Sequence, residues 1–217
     1  MIRLFSSPRP VQTSKVAREK TYRRPIRRIG VAAIAAVTVF TLTACAQESG
    51  NSTDVVDQGY QSGDGSVRTW PVSERGESVV LTGTDFEGNP VDTSEFDNEI
   101  VVLNTWYAAC PPCRAEAPDL LAIATERDSE GVHFVGINRT DEAGAALAFE
   151  REFGITWPSI QDTSGQAIAT LAGVVPIKAV PTTVVLDKQG RVAARVLGQV
   201  EKSTLNTLID DVLAENA

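Results

Sequence analysis

An α/β domain built on a sheet of mixed strand direction is what this sequence predicts, and three observations predict it. Runs with unbroken apolar cores rich in β-branched residues, EIVVLNTW (99–106) and VHFVGIN (132–138), alternate with stretches of helical character. The two last strand-like runs in PTTVVLDKQGRVAARVLG are joined only by the turn Asp187-Lys188-Gln189-Gly190, which makes a hairpin. Strands that alternate with helices and then end in a hairpin form a sheet of mixed direction. The chain also shows no internal repeat and no Gly-rich phosphate loop.

Of its 217 residues, 42% are apolar, enough for one domain with a sizeable core plus extensions. The net charge of −8 hides a division, because nine of the 20 Lys and Arg lie in residues 1–28 beside a single acid, Glu19. From Cys45 onward 11 bases face 27 acids, a net of −16. A body that acidic argues against nucleic acid and against electrostatic docking on anionic lipid.

Residues 1–44 read as an address. Clustered arginines precede an uncharged stretch of 16 residues, Ile29 to Ala44, short of the roughly 20 a spanning helix needs and close to the apolar region of a secretory signal. Leu42-Thr43-Ala44-Cys45 resembles the bacterial lipobox, which implies lipidation of Cys45 and a chain held outside the cytoplasmic membrane. Arg27-Arg28 gives only a weak hint of twin-arginine export. Residues 45–70, rich in Gln, Ser, Gly, Asp and Asn, read as the lipidated cysteine and a flexible tether.

The globular domain is expected over 71–217. ESVVL followed by GTDFEGNPVDTSEF has the turn chemistry of a β-hairpin at the domain's entrance. The apolar core of EIVVLNTW is unbroken, as in a strand buried on both faces. CRAEAPDLLAIATER offers Leu120, Leu121, Ile123 and Ala124 as a helical core face, with a kink expected at Pro118. VHFVGIN is a second buried strand, DEAGAALAFEREFG a helix closing at Gly154, WPSIQD a short strand and SGQAIATLAGV a helix. STLNTLIDDVLAE supplies a final amphipathic helix after the hairpin.

The chemistry concentrates in NTWYAACPPCRAEAP (104–118), where Cys110 and Cys113 are separated by two prolines. A C-x-x-C pair directly after a buried strand and at a helix start puts its first thiol where helix N–H groups and the macrodipole favour a thiolate. Cys110 is the candidate nucleophile, and Cys113, one turn inward, can close an intramolecular disulfide and resolve a mixed one. The prolines are harmless because first-turn N–H groups have no intrahelical partner. Zinc would need about four ligands, against two cysteines here and one histidine, His133, on a buried strand. A structural staple around so short a loop would stabilise little.

NTWYAACPPCRAEAP together with VPTTVVLDKQGRV resembles the TlpA/ResA-like branch of the thioredoxin superfamily, membrane-tethered thiol-disulfide oxidoreductases. The resemblance covers Glu77 to the C-terminus and implies a thioredoxin-like fold with an N-terminal β-hairpin and a central helical insertion. It implies that Cys110 attacks and Cys113 resolves, with Glu116 as an active-site carboxylate on the Cys113 face of the helix, able to exchange protons with the thiols. Pro181 matches the family's cis-proline facing the disulfide, with Val180 offering backbone contacts to a bound peptide and Trp106 placed with them on the substrate side. Where many relatives carry tryptophan before the first cysteine, this chain has Ala109, which alters the rim. Trp157 reads as core packing.

The function expected is reduction of disulfides in exported proteins, apocytochrome c before haem attachment being the substrate implied, with electrons from a membrane thiol carrier. No metal is expected and no cofactor beyond the redox-active Cys110–Cys113 disulfide. The rivals are an oxidase that introduces disulfides into exported proteins, a lipoprotein metallochaperone or binding module, and a peroxidase.

Overall fold

The computed structural model describes residues 66–215; the leader, Cys45 and most of the tether lie outside the described residues. The elements run β1 (Val67–Thr69), β2 (Thr82–Thr84), β3 (Pro90–Asp92), β4 (Ile100–Thr105), α1 (Pro111–Arg127), β5 (Val132–Asn138), α2 (Ala143–Phe153), β6 (Ser159–Gln161), α3 (Gln166–Thr170), β7 (Thr182–Leu186), β8 (Val192–Leu197) and α4 (Lys202–Ala214). Six of the strands form one sheet in the order β1-β8-β7-β4-β5-β6, and β2 and β3 pair separately as the entrance hairpin. β4, β5 and β6 are parallel, whereas β7, β8 and β1 are joined to the sheet by antiparallel pairing. The sheet is mixed, as the order of elements predicts.

All six residues of β4 are buried because both faces of the sheet are covered. Successive side chains of a strand point to opposite faces, so Ile100 and Val102 enter one core and Val101 and Leu103 the other. On the first face they meet Leu120 and Ile123 of α1 and Leu205, Leu208, Ile209 and Val212 of α4. On the second they meet Leu81, Val91 from the hairpin, and Ala167, Ile168 and Leu171 from the α3 region. α1 is a single helix that continues through Pro118. α2 and β6 lie between β5 and β7, where the central insertion is expected, and β6 adds an edge strand to the sheet.

Two element boundaries differ from the sequence reading. β1 falls in the stretch assigned to the tether, since Val67–Thr69 pairs with Ala194–Val196 of β8. Three residues show no readable alternation, and their partner lies at the other end of the chain. In the hairpin the ladder begins at Thr82, beyond the apolar ESVVL, whose Leu81 is instead a core residue with its N–H bonded to Thr93 Oγ1 at 2.9 Å.

Gly154 closes α2 with φ 70°, donating its N–H to Glu150 O, a left-handed conformation that favours glycine. No helix among the described residues is long and apolar enough to cross a membrane.

Candidate active site

The C-terminal end of β4 runs through Trp106–Ala109 directly into α1, so the cysteine pair stands at a strand-to-helix turn at the rim of the sheet. Cys110 is the N-cap of α1 and Pro111 and Pro112 occupy its first two positions. Prolines there remove two of the N–H groups that a helix start would leave unpaired. The next donor, Cys113 N–H, is turned onto Cys110 Sγ at 3.2 Å. The two sulfurs are bonded as a disulfide, with Cα atoms 5.2 Å apart. At 1% and 2% exposed, Cys110 and Cys113 lie just beneath the surface, among Trp106, Ala117, Ala146 and Phe149.

Glu116, on the next turn of α1, is 0% exposed. One carboxylate oxygen accepts from Asn104 Nδ2 at 2.9 Å, the other from Val200 N at 2.9 Å. Burial pushes its pKa up to about 7, and the two N–H donors, Val200 and Asn104, pull against that rise. A carboxyl group poised near neutrality can take or give a proton at little cost, which is what thiol chemistry beside it requires.

The loop before Cys110 is fixed from the side. Asp141 Oδ2 accepts from Ala108 N at 2.6 Å and from Asn138 Nδ2 at 2.8 Å, while Asn138 Oδ1 accepts from the N–H groups of Thr140 and Asp141 at 3.0 Å each. Arg114 donates to Ala108 O at 3.3 Å, pairs with Glu152 and lies over the ring of Phe153 at 5.0 Å. The acids that open the helical pattern at 141–142 thus divide their work: Glu142 is the N-cap position of α2, and Asp141 holds the cysteine loop.

The Val180–Pro181 peptide bond is cis, as the resemblance implies. Val180 packs against the cluster that contains both cysteines, and Pro181 O accepts from Gly198 N at 2.9 Å. The structure therefore brings Cys110, Cys113 and Val180 into one cluster, with Glu116 just behind on α1. Trp106 lies in the same cluster as the cysteines: it is 5% exposed, its ring stacked on Phe149 with centroids 4.5 Å apart and set edge-on to Phe86. Trp157 packs on Phe134 and also borders the small space behind Cys113.

His133 stacks on Phe96 with centroids 4.3 Å apart and pairs with Glu99, near the start of β5 and away from the cysteines at the opposite end of β4. Among the described residues no group of three or more His, Cys, Asp or Glu is arranged to hold a metal ion.

Asn104, Asp141 and the Val200 N–H escaped the sequence reading. Asn104 left one usable signal, an amide at the end of an otherwise apolar buried run, where a polar group demands a partner. Val200 left none, because its contribution is a backbone group.

A model of the Redoxin family matches residues 71–209. The thiol-disulfide oxidoreductase ResA of Bacillus thuringiensis subsp. konkukian is 27% identical over 129 residues, which cover 59% of this chain and 72% of that protein. Among solved structures, a secreted thiol-disulfide isomerase from Corynebacterium glutamicum superimposes with a TM-score of 0.64 at 34% identity, covering 72% of this chain and 97% of that one. A DsbF homologue from Corynebacterium diphtheriae gives a TM-score of 0.60, also at 34% identity, covering 70% of this chain and 96% of that one. With a thioredoxin-like sheet, a disulfide at the strand-to-helix turn and these likenesses, the chain belongs to the Redoxin family, among the TlpA/ResA-like thiol-disulfide oxidoreductases of the thioredoxin superfamily.

Proposed function

We propose that this enzyme works outside the cytoplasmic membrane, tethered through a lipid on Cys45, and reduces disulfides of exported proteins through Cys110 and Cys113. The observation that carries the reading is the Cys110–Cys113 disulfide at the N-terminus of α1, with the buried Glu116 carboxyl one turn further on.

Starting from the dithiol, the Cys110 thiolate attacks one sulfur of a substrate disulfide. That bond breaks, the mixed disulfide forms and one substrate thiolate leaves. Cys113 then gives its proton to the Glu116 carboxylate and attacks Cys110 Sγ, releasing the second substrate thiolate. Two electrons have passed to the substrate, and the Cys110–Cys113 bond seen in the structure is the end point. A membrane thiol carrier returns the pair to the dithiol. Val180 and Pro181 are the substrate-contact residues of this reading, and apocytochrome c is the substrate that the family resemblance favours.

The leader supports the location: arginines, an apolar stretch of 16 residues and the lipobox-like Leu42-Thr43-Ala44-Cys45. The oxidising direction, introduction of disulfides into exported proteins by the same cysteine pair run in reverse, is the second reading. Equilibration with thiol buffers separates the two. A potential near thioredoxin's, about −270 mV, supports the reductant, and one near about −120 mV overturns it. Cys113→Ser is expected to hold Cys110 in a mixed disulfide with its partner in cells; no such adduct would count against the whole scheme.

A further inference from the structure

Ile177 is 70% exposed, far more than any other large apolar side chain among the described residues. The other two exposed ones, Val72 and Val80, belong to the segment that docks beside Gly190, at the opposite end of β7 from Pro181. Ile177 alone stands in the loop that leads into Pro181.

That loop is held firmly. Ala179 N donates to Pro176 O at 2.9 Å, closing the four-residue turn Pro176–Ala179 with Ile177 and Lys178 at its corners. Ala179 O in turn accepts from Thr182 Oγ1 at 2.9 Å. The next residue, Val180, packs into the cluster that holds Cys110 and Cys113. Ile177 is thus presented on a fixed turn three residues from a side chain that touches the disulfide's surroundings. The exposed chain neighbours of Cys110 are Ala109 and Pro111, a methyl group and a rigid ring at the helix start, and neither offers a long flexible side chain to a bound peptide. An isoleucine displayed on a braced turn has already surrendered its backbone freedom, so covering it on binding returns most of the hydrophobic gain.

We propose that Ile177 is a specificity-determining contact for polypeptide substrates: it receives an aliphatic or aromatic side chain lying a few residues from the reacting cysteine in an extended substrate segment. This rests on the oxidoreductase reading above. It implies that unfolded chains, which still expose their apolar residues, are preferred over folded proteins whose disulfides have polar surroundings.

The test uses two synthetic disulfide peptides that differ only in leucine or serine flanking a cysteine, together with bis(2-hydroxyethyl) disulfide as a small polar reagent without an apolar side chain to dock. The wild-type protein is expected to react about tenfold faster with the leucine peptide, Ile177→Ser to reduce that preference to within about twofold, and Ile177→Leu to keep it. The effect should fall on KM, with the rate toward the small disulfide unchanged in both variants. A leucine preference that survives in Ile177→Ser overturns the proposal, as does an equal loss of rate toward the peptides and the small disulfide. A wild-type protein that exchanges none of the three overturns the oxidoreductase reading itself.

Discussion

The side-chain amide of Asn104, at the end of β4, donates to Glu116 Oε1 at 2.9 Å and also reaches Thr183 Oγ1 at 3.3 Å, so one polar residue links β4 and α1 to the neighbouring β7. Both oxygens of Glu116 are occupied by N–H donors, an arrangement that favours the carboxylate, while burial favours the neutral acid. The balance leaves the group near neutrality.

Asn104→Leu removes one donor and leaves burial unopposed on that side. The Glu116 inflection in the pH profile of disulfide exchange should move upward from about 7. A hydrogen bond to a charged group contributes about 1.5–3 kcal/mol, so exchange at neutral pH should slow by at least about fivefold. An unchanged inflection would mean that Asn104 only fills space.

Glu116 also makes stability depend on pH. Its carboxyl titrates at an ordinary value of 4.5 when unfolded and about 7 when folded, so between these values the folded protein holds the extra proton. This contribution is fully present below the unfolded pKa, declines as pH rises through the folded one, and is on the order of 3 kcal/mol in total. Denaturant unfolding of the disulfide form, whose cysteines do not titrate, should show the decline, and Glu116→Gln should flatten it. A variant with the same slope as wild type places the titrating group elsewhere.

The fold was legible because burial on both faces leaves the same mark in sequence as in structure. EIVVLNTW and VHFVGIN have apolar cores with no polar alternation, and each is a strand covered by helices or the hairpin on both sides. The cysteine pair was legible from spacing and from the strand before it. What could not be read depends on partners far apart in the chain: β1 against β8, and Val200 N–H on Glu116, 84 residues away. The burial of Trp106 was not readable either, because it is decided by Phe149 of α2, which sequence alone does not bring near.

Gly136 is one such unreadable contact. A Cβ added there would stand 2.7 Å from Trp106 Nε1 and press on Ser159 Oγ. Trp106 is stacked on Phe149 and cannot withdraw freely. Gly136→Ala should therefore cost about 1–3 kcal/mol, read as a lowered denaturation midpoint, and should alter the near-ultraviolet signal of the tryptophans. A midpoint within error of wild type would show that the indole has room to move.

Asp141→Ala leaves Ala108 N–H and the Asn138 amide without their shared acceptor. The loss should be about 1–3 kcal/mol, confined to the cysteine loop. Hydrogen exchange at Ala108 and Ala109 should quicken while the protection of β4 and β5 holds. Uniform loss of protection across the sheet would instead mark Asp141 as a general stabiliser.

Far from the disulfide, Arg75 donates to Asp187 Oδ2 at 2.9 Å and to both oxygens of Glu215, at 2.6 and 2.7 Å, joining the N-terminal segment, the β7–β8 turn and the end of α4. Burial would raise the Asp187 pKa, but the N–H of Arg191 and the side chains of Arg75 and Arg191 hold it below the ordinary carboxylate value. A depressed folded pKa contributes stability that is present above the unfolded value near 3.8 and lost as pH falls through the folded one. Arg75→Met removes the arginine that Glu215 pairs with and leaves Asp187 with Arg191 alone, and should cost about 3 kcal/mol at neutral pH. The deficit should shrink below about pH 4, where carboxylates take up protons. Disulfide exchange at temperatures where the variant stays folded should match wild type, because the network lies at the opposite end of β7 from Pro181. A rate defect in the folded variant would reveal coupling along that strand.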